Sequence, residues 1–417
     1  MAQLSDDVFS AEDRLMPVDE ALALLRARVH AVAGTERVGL IDADGRVLAE
    51  SLIAPIDLPV FDNSAVDGYA ARFADLAAAG ETILPVVGRL TAGGGAAAAL
   101  APGAVARIFT GAPAPAGADT IFMQEDVRVL GDGRVVLPAG LKRGANLRPR
   151  GEDIARGEAA LEAGRRLTPQ DIGLAAALGA AHLVVRRPLR AAVFSTGDEI
   201  VSPGVALAPA QLYDSNRFVL QTLLRRLGCR VSDLGVLPDD RAAVRAALID
   251  AARDHDVILS SGGVSLGEED HVKAALAEAG SLTFWRLAIK PGRPVAMGLI
   301  EGTPFIGLPG NPVAVFVTFA TVARALIAAL SGAREEPLPM PSVRCAFAYR
   351  KKPGRREYVR VRLVAGADGV TAEKYAVEGA GVITSLTRTH GLIELGEDAT
   401  SLSPGDMAPF IDYAALR

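Results

Sequence analysis

Glycine-bearing turns and carboxylates sit side by side at several points in the second half of the chain. Ser195-Thr196-Gly197 runs into Asp198 and Glu199, and Ser260-Ser261-Gly262-Gly263 runs on to Glu268, Glu269 and Asp270. Asp239 and Asp240 follow another apolar run, while Gly307-Leu308-Pro309-Gly310-Asn311-Pro312 has the glycines without the acids. Glycine lets main-chain N–H groups approach a ligand with no Cβ in the way, and a helix N-terminus adds partial positive charge that suits phosphate. Thr196, Gly197, Ser260, Ser261, Gly262, Gly263, Pro309, Gly310, Asn311 and Pro312 are therefore candidates for holding phosphate or another oxyanion. Acids in a first helical turn complement the dipole by about 0.3–1 kcal/mol each, a capping role that covers Asp240 and Glu268. That role explains less well why acids gather beside anion loops. Mg²⁺ reconciles the two, because it takes one or two carboxylates together with phosphate oxygens and waters.

A second chemistry lies between these loops. Lys290-Pro291-Gly292-Arg293-Pro294, with Arg286 upstream, holds two cations in a stiff turn that suits a small oxyanion. A surface loop with solvated charges is an equal reading of the same residues. Further on, Arg344, Arg350, Lys351, Lys352, Arg355, Arg356, Arg360 and Arg362 are opposed only by Glu357. Such a run is ordinarily a solvated face or edge-strand protection, or else a clamp for the phosphates of a ligand held between domains.

The elements that must carry these loops follow from periodicity. Strands are expected at 190–195, 230–237, 257–260 and 303–308, and helices at 215–227, 239–253, 270–279 and 312–330. Alternation at this spacing implies a parallel sheet with helices on both faces, with ligands beyond the carboxyl ends of its strands. Before it, residues 17–32 read as an amphipathic helix and 38–53 as two extended runs around Asp44-Gly45. Short β-type runs at 83–87, 104–109, 120–124 and 134–137 suggest a small β-rich domain, and Thr168-Pro169 with Asp171 starts another helix. Alternation at 358–363 predicts a small C-terminal β domain. The fold class expected is multidomain α/β plus β.

Composition narrows the function. A 417-residue chain is too long for one core, and a net charge of −5 disfavours nucleic acid as a partner. Two cysteines, Cys229 and Cys345, make neither a disulfide framework nor a zinc site, and a reducing cytoplasm fits them. The N-terminus lacks the apolar core of a signal peptide. The most apolar run, 313–330, carries Arg324 and reads as a buried helix rather than a membrane span.

Read in order, the motifs FDNSAVDGYA (61–70), RIFTGAPAPAGADTIFMQE (107–125), RGEDI (150–154), FSTGDE (194–199), YDSNR (213–217), SSGGVSLGEED (260–270), AIKPGRP (288–294) and GLPGNP (307–312) resemble the molybdopterin molybdenumtransferase family, and with it the C-terminal part of gephyrin. The resemblance implies a homodimer with four domains per subunit. These are a linking domain from 1–54 and 151–188, a β-rich domain at 55–150, an α/β domain at 189–331 and a C-terminal β domain at 340–417. It also implies the reaction: molybdate and adenylylated molybdopterin bind, metal enters the dithiolene, and AMP leaves with Mg²⁺ taking part. The family's functional positions fall on Asp67, Thr110, Glu199, Asp239 and Asp270. Of these, Asp239, Asp270 and Glu199 are the carboxylates expected to hold Mg²⁺ against the pyrophosphate. Molybdate falls to Lys290, Arg293 and Arg286. Arg286 and Arg293 stand where lysine is frequent, and Pro149 interrupts an arginine triplet. Expected partners include the preceding adenylyltransferase and recipient molybdoenzymes. That adenylyltransferase, which lacks the flanking β domains, is the rival enzyme reading; a non-catalytic pterin carrier or scaffold is the other.

Overall fold

A computed structural model of the chain describes residues 15–94, 98–238, 240–262, 278–334 and 337–416. Its first six-stranded sheet runs in the order Thr120–Met123, Gly68–Ala71, Val105–Ile108, Thr82–Leu90, Arg134–Leu137, Arg128–Val129. Tyr69, Leu84, Val105, Phe122, Val135 and Leu137 pack on one side of it. Gly68–Ala71 pairs antiparallel with Val105–Ile108, Gly68 opposite Ile108. Asp67 and Thr110 therefore leave the same end of adjacent strands.

On either side of this sheet in sequence, Thr35–Gly39 pairs with His182–Arg186, and Leu52–Ile53 with Ala159–Leu161. Leu48, Leu161, Leu167, Ala175 and Val185 share a core there. The helix Pro169–Ala177 opens on a capping box between Thr168 and Asp171. Residues 40–43 depart from the expected extended run: Leu40–Ala43 is one helical turn, which seats Ala43 in that core, and Gly45 then reverses the chain at φ 72°. The N-terminal helix is Val18–Arg28, shorter than the periodicity suggests. Val29 is extended, and Val32 donates its N–H to the Leu330 carbonyl at 3.0 Å.

The α/β sheet runs Arg230–Leu237, Arg190–Thr196, Val257–Ser261, Thr303–Leu308, Pro294–Ile300, Gly280–Arg286. The first four strands are parallel; the last two add antiparallel. This edge hairpin went unread because a proline opens its second strand, and a proline is tolerated there only at a strand start or edge. Its consequence is positional. Ala296 lies opposite Gly307, so the connection 287–293 emerges at the carboxyl end of the parallel strands. The expected helix at 270–279 falls almost entirely outside the described residues. The helices Asn216–Arg226 and Arg241–Asp254 lie within a residue or two of expectation. Pro312–Ser331, the one stretch among the described residues long and apolar enough to span a membrane, is mostly buried inside the protein. It contains a π-helical segment at Phe319–Ala323 and ends where Gly332 turns left-handed at φ 73°.

The C-terminal sheet runs Ile289–Lys290, Arg356–Gly366, Gly369–Lys374, Ser342–Cys345, Met407–Asp412, Gly391–Leu395, and the last strand pairs back onto Arg356–Gly366. The result is a closed small barrel to which the edge hairpin contributes an extra two-residue strand. Tyr358, Leu392, Ile411 and Leu416 join the α/β core, so barrel and sheet share one apolar interior.

Candidate functional site

Three strand ends meet at the head of the α/β sheet. Ser195 lies opposite Ser261, and Ser261 opposite Leu308. Asn216, the first residue of its helix, ties the last two together. Its Nδ2 donates to Ser261 Oγ at 2.9 Å and to the Gly310 carbonyl at 2.6 Å. Gly262 donates its N–H to the Leu308 carbonyl at 3.1 Å. The buried hydroxyls of Ser195 and Ser260 and the Oδ1 of Asn216 have no hydrogen-bond partner among the described residues. Buried polar groups are nearly always paired, so these strand ends carry spare hydrogen-bonding capacity. Gly197 has φ 135°, and a Cβ there would lie 2.6 Å from Glu199 Oε2. Only glycine lets the Glu199 carboxylate fold back onto its own turn.

The start of the Asn216 helix is fixed from below. Arg217 donates through Nε to Asp214 Oδ2 at 2.9 Å and through its N–H to Asp214 Oδ1 at 3.1 Å. It also pairs with Asp233 and donates to Ser202 Oγ at 3.0 Å. Burial alone would raise the Asp233 carboxyl, but the bonds from Arg217 and the Gly235 N–H outweigh it and hold the group below its ordinary range.

Beside the strand ends, a cavity of about 480 Å³ opens between the hairpin connection, residues 309–311 and the barrel. Lys290 and Arg293 line one wall with Pro309, Gly310 and Asn311; Arg355, Arg360 and Lys374 line the other. Gly292 has φ 110°, and a side chain there would strike Thr318 Oγ1, so the turn packs tightly onto the buried helix. Lys290 Nζ donates to Glu357 Oε2 at 3.2 Å. Arg360 is 9% exposed, and its Nε has no partner among the described residues. The solvated-face reading of the basic run thus fails at Arg360 and Glu357, because the barrel closes over this part of the strand. Arg286 and Pro312 do not line the cavity: the Arg286 carbonyl accepts the Met16 N–H at 2.7 Å, and Pro312 opens the helix. The next helical N–H, of Val313, donates to the Ala380 carbonyl of the barrel at 2.9 Å.

Asp67 and Thr110 are brought together on the β-rich sheet, where Asp67 Oδ1 accepts the Thr110 N–H and hydroxyl. Asp239, Gly263 and Asp270 lie outside the described residues. Among the described residues no cluster of three acids, histidines or cysteines forms a metal site, and Glu199 is the one expected ligand in view.

Comparison with known proteins bears on this geometry. The chain matches, in succession, the family models "MoeA N-terminal region (domain I and II)" over residues 16–179, "Probable molybdopterin binding domain" over 192–329 and "MoeA C-terminal region (domain IV)" over 342–413. It is 37% identical over 394 residues to the molybdopterin molybdenumtransferase of Haemophilus influenzae, spanning 94% of this chain and 97% of that relative. The chain belongs to the molybdopterin molybdenumtransferase family. Another molybdopterin molybdenumtransferase, number 2 of Mycobacterium tuberculosis, is 36% identical over 88% of this chain and 92% of its own length. The crystal structure of the molybdopterin biosynthesis moeA protein of Pyrococcus horikoshii superposes with a TM-score of 0.81 at 28% identity, covering 96% of this chain and 100% of that one. The multidomain α/β plus β fold is therefore that of the molybdopterin molybdenumtransferases.

Within that family frame, several residues of the site escaped the sequence reading. Asn216 sits inside the YDSNR motif, which marked the stretch but not the side chain. Arg360 was hidden in a basic run. Glu357 had a signal of its own, as the lone acid opposing that run. Lys374 and Tyr375, which also line the cavity, carried no motif at all.

Proposed function

We propose that the chain inserts molybdenum from molybdate into adenylylated molybdopterin and releases AMP, with Mg²⁺ assisting. The observation that carries this reading is the cavity in which the Lys290–Arg293 turn faces the 309–311 loop and the buried guanidinium of Arg360. A tetrahedral dianion there receives donors from both walls, and charge-assisted hydrogen bonds of this kind are about twice as strong as neutral ones. The strand-end loops, with the Ser195 and Ser260 hydroxyls unpaired among the described residues, hold the pterin and pyrophosphate beside it. Glu199, Asp239 and Asp270 are oxygen donors of the type Mg²⁺ takes, and the ion would neutralise pyrophosphate charge as the bond to AMP breaks. The fold of Glu199 against Gly197 at a strand end supports its share of that role.

In this reading 1–54 with 151–188 form a linking domain, and 55–150, 189–331 and 340–417 the other three. Asp67 and Thr110, at the end of the β-rich sheet, close the site from the second subunit of a homodimer. No serine–histidine pair or activated thiol is involved, so transfer proceeds without a covalent enzyme intermediate. The test is AMP release by purified protein given adenylylated molybdopterin, molybdate and Mg²⁺, alongside Asp270→Ala. Turnover at the wild-type rate in that variant would reject its metal role. Activity on unadenylylated pterin with ATP would favour an adenylyltransferase instead.

A further inference from the structure

The long barrel strand Arg356–Gly366 carries an acid where the cavity needs cations. Glu357 is 1% exposed and does not line the cavity; it stands behind the residues that do. It accepts from Tyr349 OH at 2.8 Å, from Arg355 Nε at 2.8 Å and from Lys290 Nζ at 3.2 Å. The backbone enforces the meeting, because Ile289–Lys290 pairs in parallel with the barrel strand and puts Lys290 in register with Glu357. Burial alone would raise this carboxyl, but the bonds from Tyr349 and Arg355 and the charge of Lys290 outweigh it, so the group stays ionised at neutral pH.

We propose that Glu357 is a positioning residue for oxyanion recognition, holding Lys290 and Arg355 in place at the cavity wall. The inference rests on the reading of this cavity as the molybdate site. A lysine side chain on an edge hairpin is flexible, and an anion that must first order it binds weakly. A buried carboxylate with a fixed main chain orders it beforehand, as outer-shell acids orient the ligands of a metal. On the barrel wall Lys374 pairs with Glu378 at 2.6 Å, but that acid is exposed and lines the cavity, so Glu357 is the buried partner. Among the described residues neither Arg293 nor Arg360 forms an ion pair, so those two charges remain for the anion while Glu357 arranges its neighbours.

The experiment measures molybdate affinity by equilibrium dialysis on the full chain, together with KM for adenylylated molybdopterin. Glu357→Gln keeps the shape and removes the charge. It is expected to weaken molybdate roughly tenfold, the low end for loss of an outer-shell partner, while KM for the pterin nucleotide and the melting temperature stay put. Glu357→Asp, which restores the charge, is expected to recover part of the loss. A merely structural role would move all three readouts together and would overturn the proposal. Unchanged or tighter molybdate binding by Glu357→Gln, with binding lost in Lys290→Ala, overturns the inference and leaves the cavity reading intact. Unchanged binding in both variants overturns the cavity reading as well. Should Glu357→Gln not fold, Tyr349→Phe removes one of the three donors at constant packing. Weakened molybdate binding there supports the proposal, and unchanged binding overturns it.

Discussion

Asp67 Oδ1 accepts two hydrogen bonds from Thr110, from the N–H at 2.8 Å and from the hydroxyl at 2.7 Å. The backbone bond and then the hydroxyl hold the carboxyl below its ordinary value of 3.8. A depressed acid contributes above its unfolded pKa and loses that contribution as pH falls through the folded one. The Asp67–Thr110 contact is therefore intact across the neutral and mildly acidic range. Asn at position 67 accepts the same two bonds without the charge, so Asp67→Asn separates charge from geometry. It is expected to lower kcat/KM for AMP release roughly tenfold or more with the melting temperature unchanged. Retained activity would show that position 67 needs only an acceptor.

Much of this arrangement was legible before the structure, and the gaps have physical causes. The strand-end loops announced themselves because a parallel strand must stop and turn, and glycine with small polar residues is what such turns require. The parallel strands were legible from apolar runs such as Val257–Ser261, buried throughout. The edge hairpin was not, because Pro294 and the Lys290–Arg293 turn punctuate a pair of strands whose partner lies across the sheet. Glu357 looked like a stray acid because its partner Lys290 is remote in sequence. Burial of Arg360 depends on barrel closure, which no local pattern encodes.

Asn216 joins the loops at Ser261 and Gly310, which are otherwise linked through the Ser261 hydroxyl, donated to the Pro309 carbonyl at 3.4 Å. Asn216→Ala leaves the Ser261 hydroxyl and the Gly310 carbonyl short of a buried donor. The expected cost is about 1–3 kcal/mol of stability, read by urea denaturation, with a raised KM for the pterin nucleotide.

The Asp214–Arg217–Asp233 network fixes the helix on which Asn216 sits, and Arg217 is 4% exposed. Arg217→Met leaves Asp214 buried and uncompensated, which should cost about 3–5 kcal/mol. The pH sign is fixed by Asp233, whose carboxyl is depressed from 3.8. Its stabilisation is present above that value and lost as pH falls below it, so wild type should show a steeper acid-unfolding slope there than the variant.

Burial pushes the Cys229 thiol up to about 12 and Cys345 to about 11. The thiolate is the reactive form. Both cysteines should resist alkylation in the folded protein at pH 8 and react at once in denaturant. Rapid native-state labelling of either, with loss of turnover, would reopen covalent catalysis.

In the proposed reaction, release of AMP and capture of molybdenum are coupled in one site. The most direct measurement is an anaerobic single-turnover assay that counts AMP released and molybdenum bound to the pterin, with and without molybdate. Equal amounts of the two are expected, with both lost in Asp270→Ala. AMP release with no molybdenum bound to the pterin, or molybdenum capture with the nucleotide still attached, would contradict that coupling.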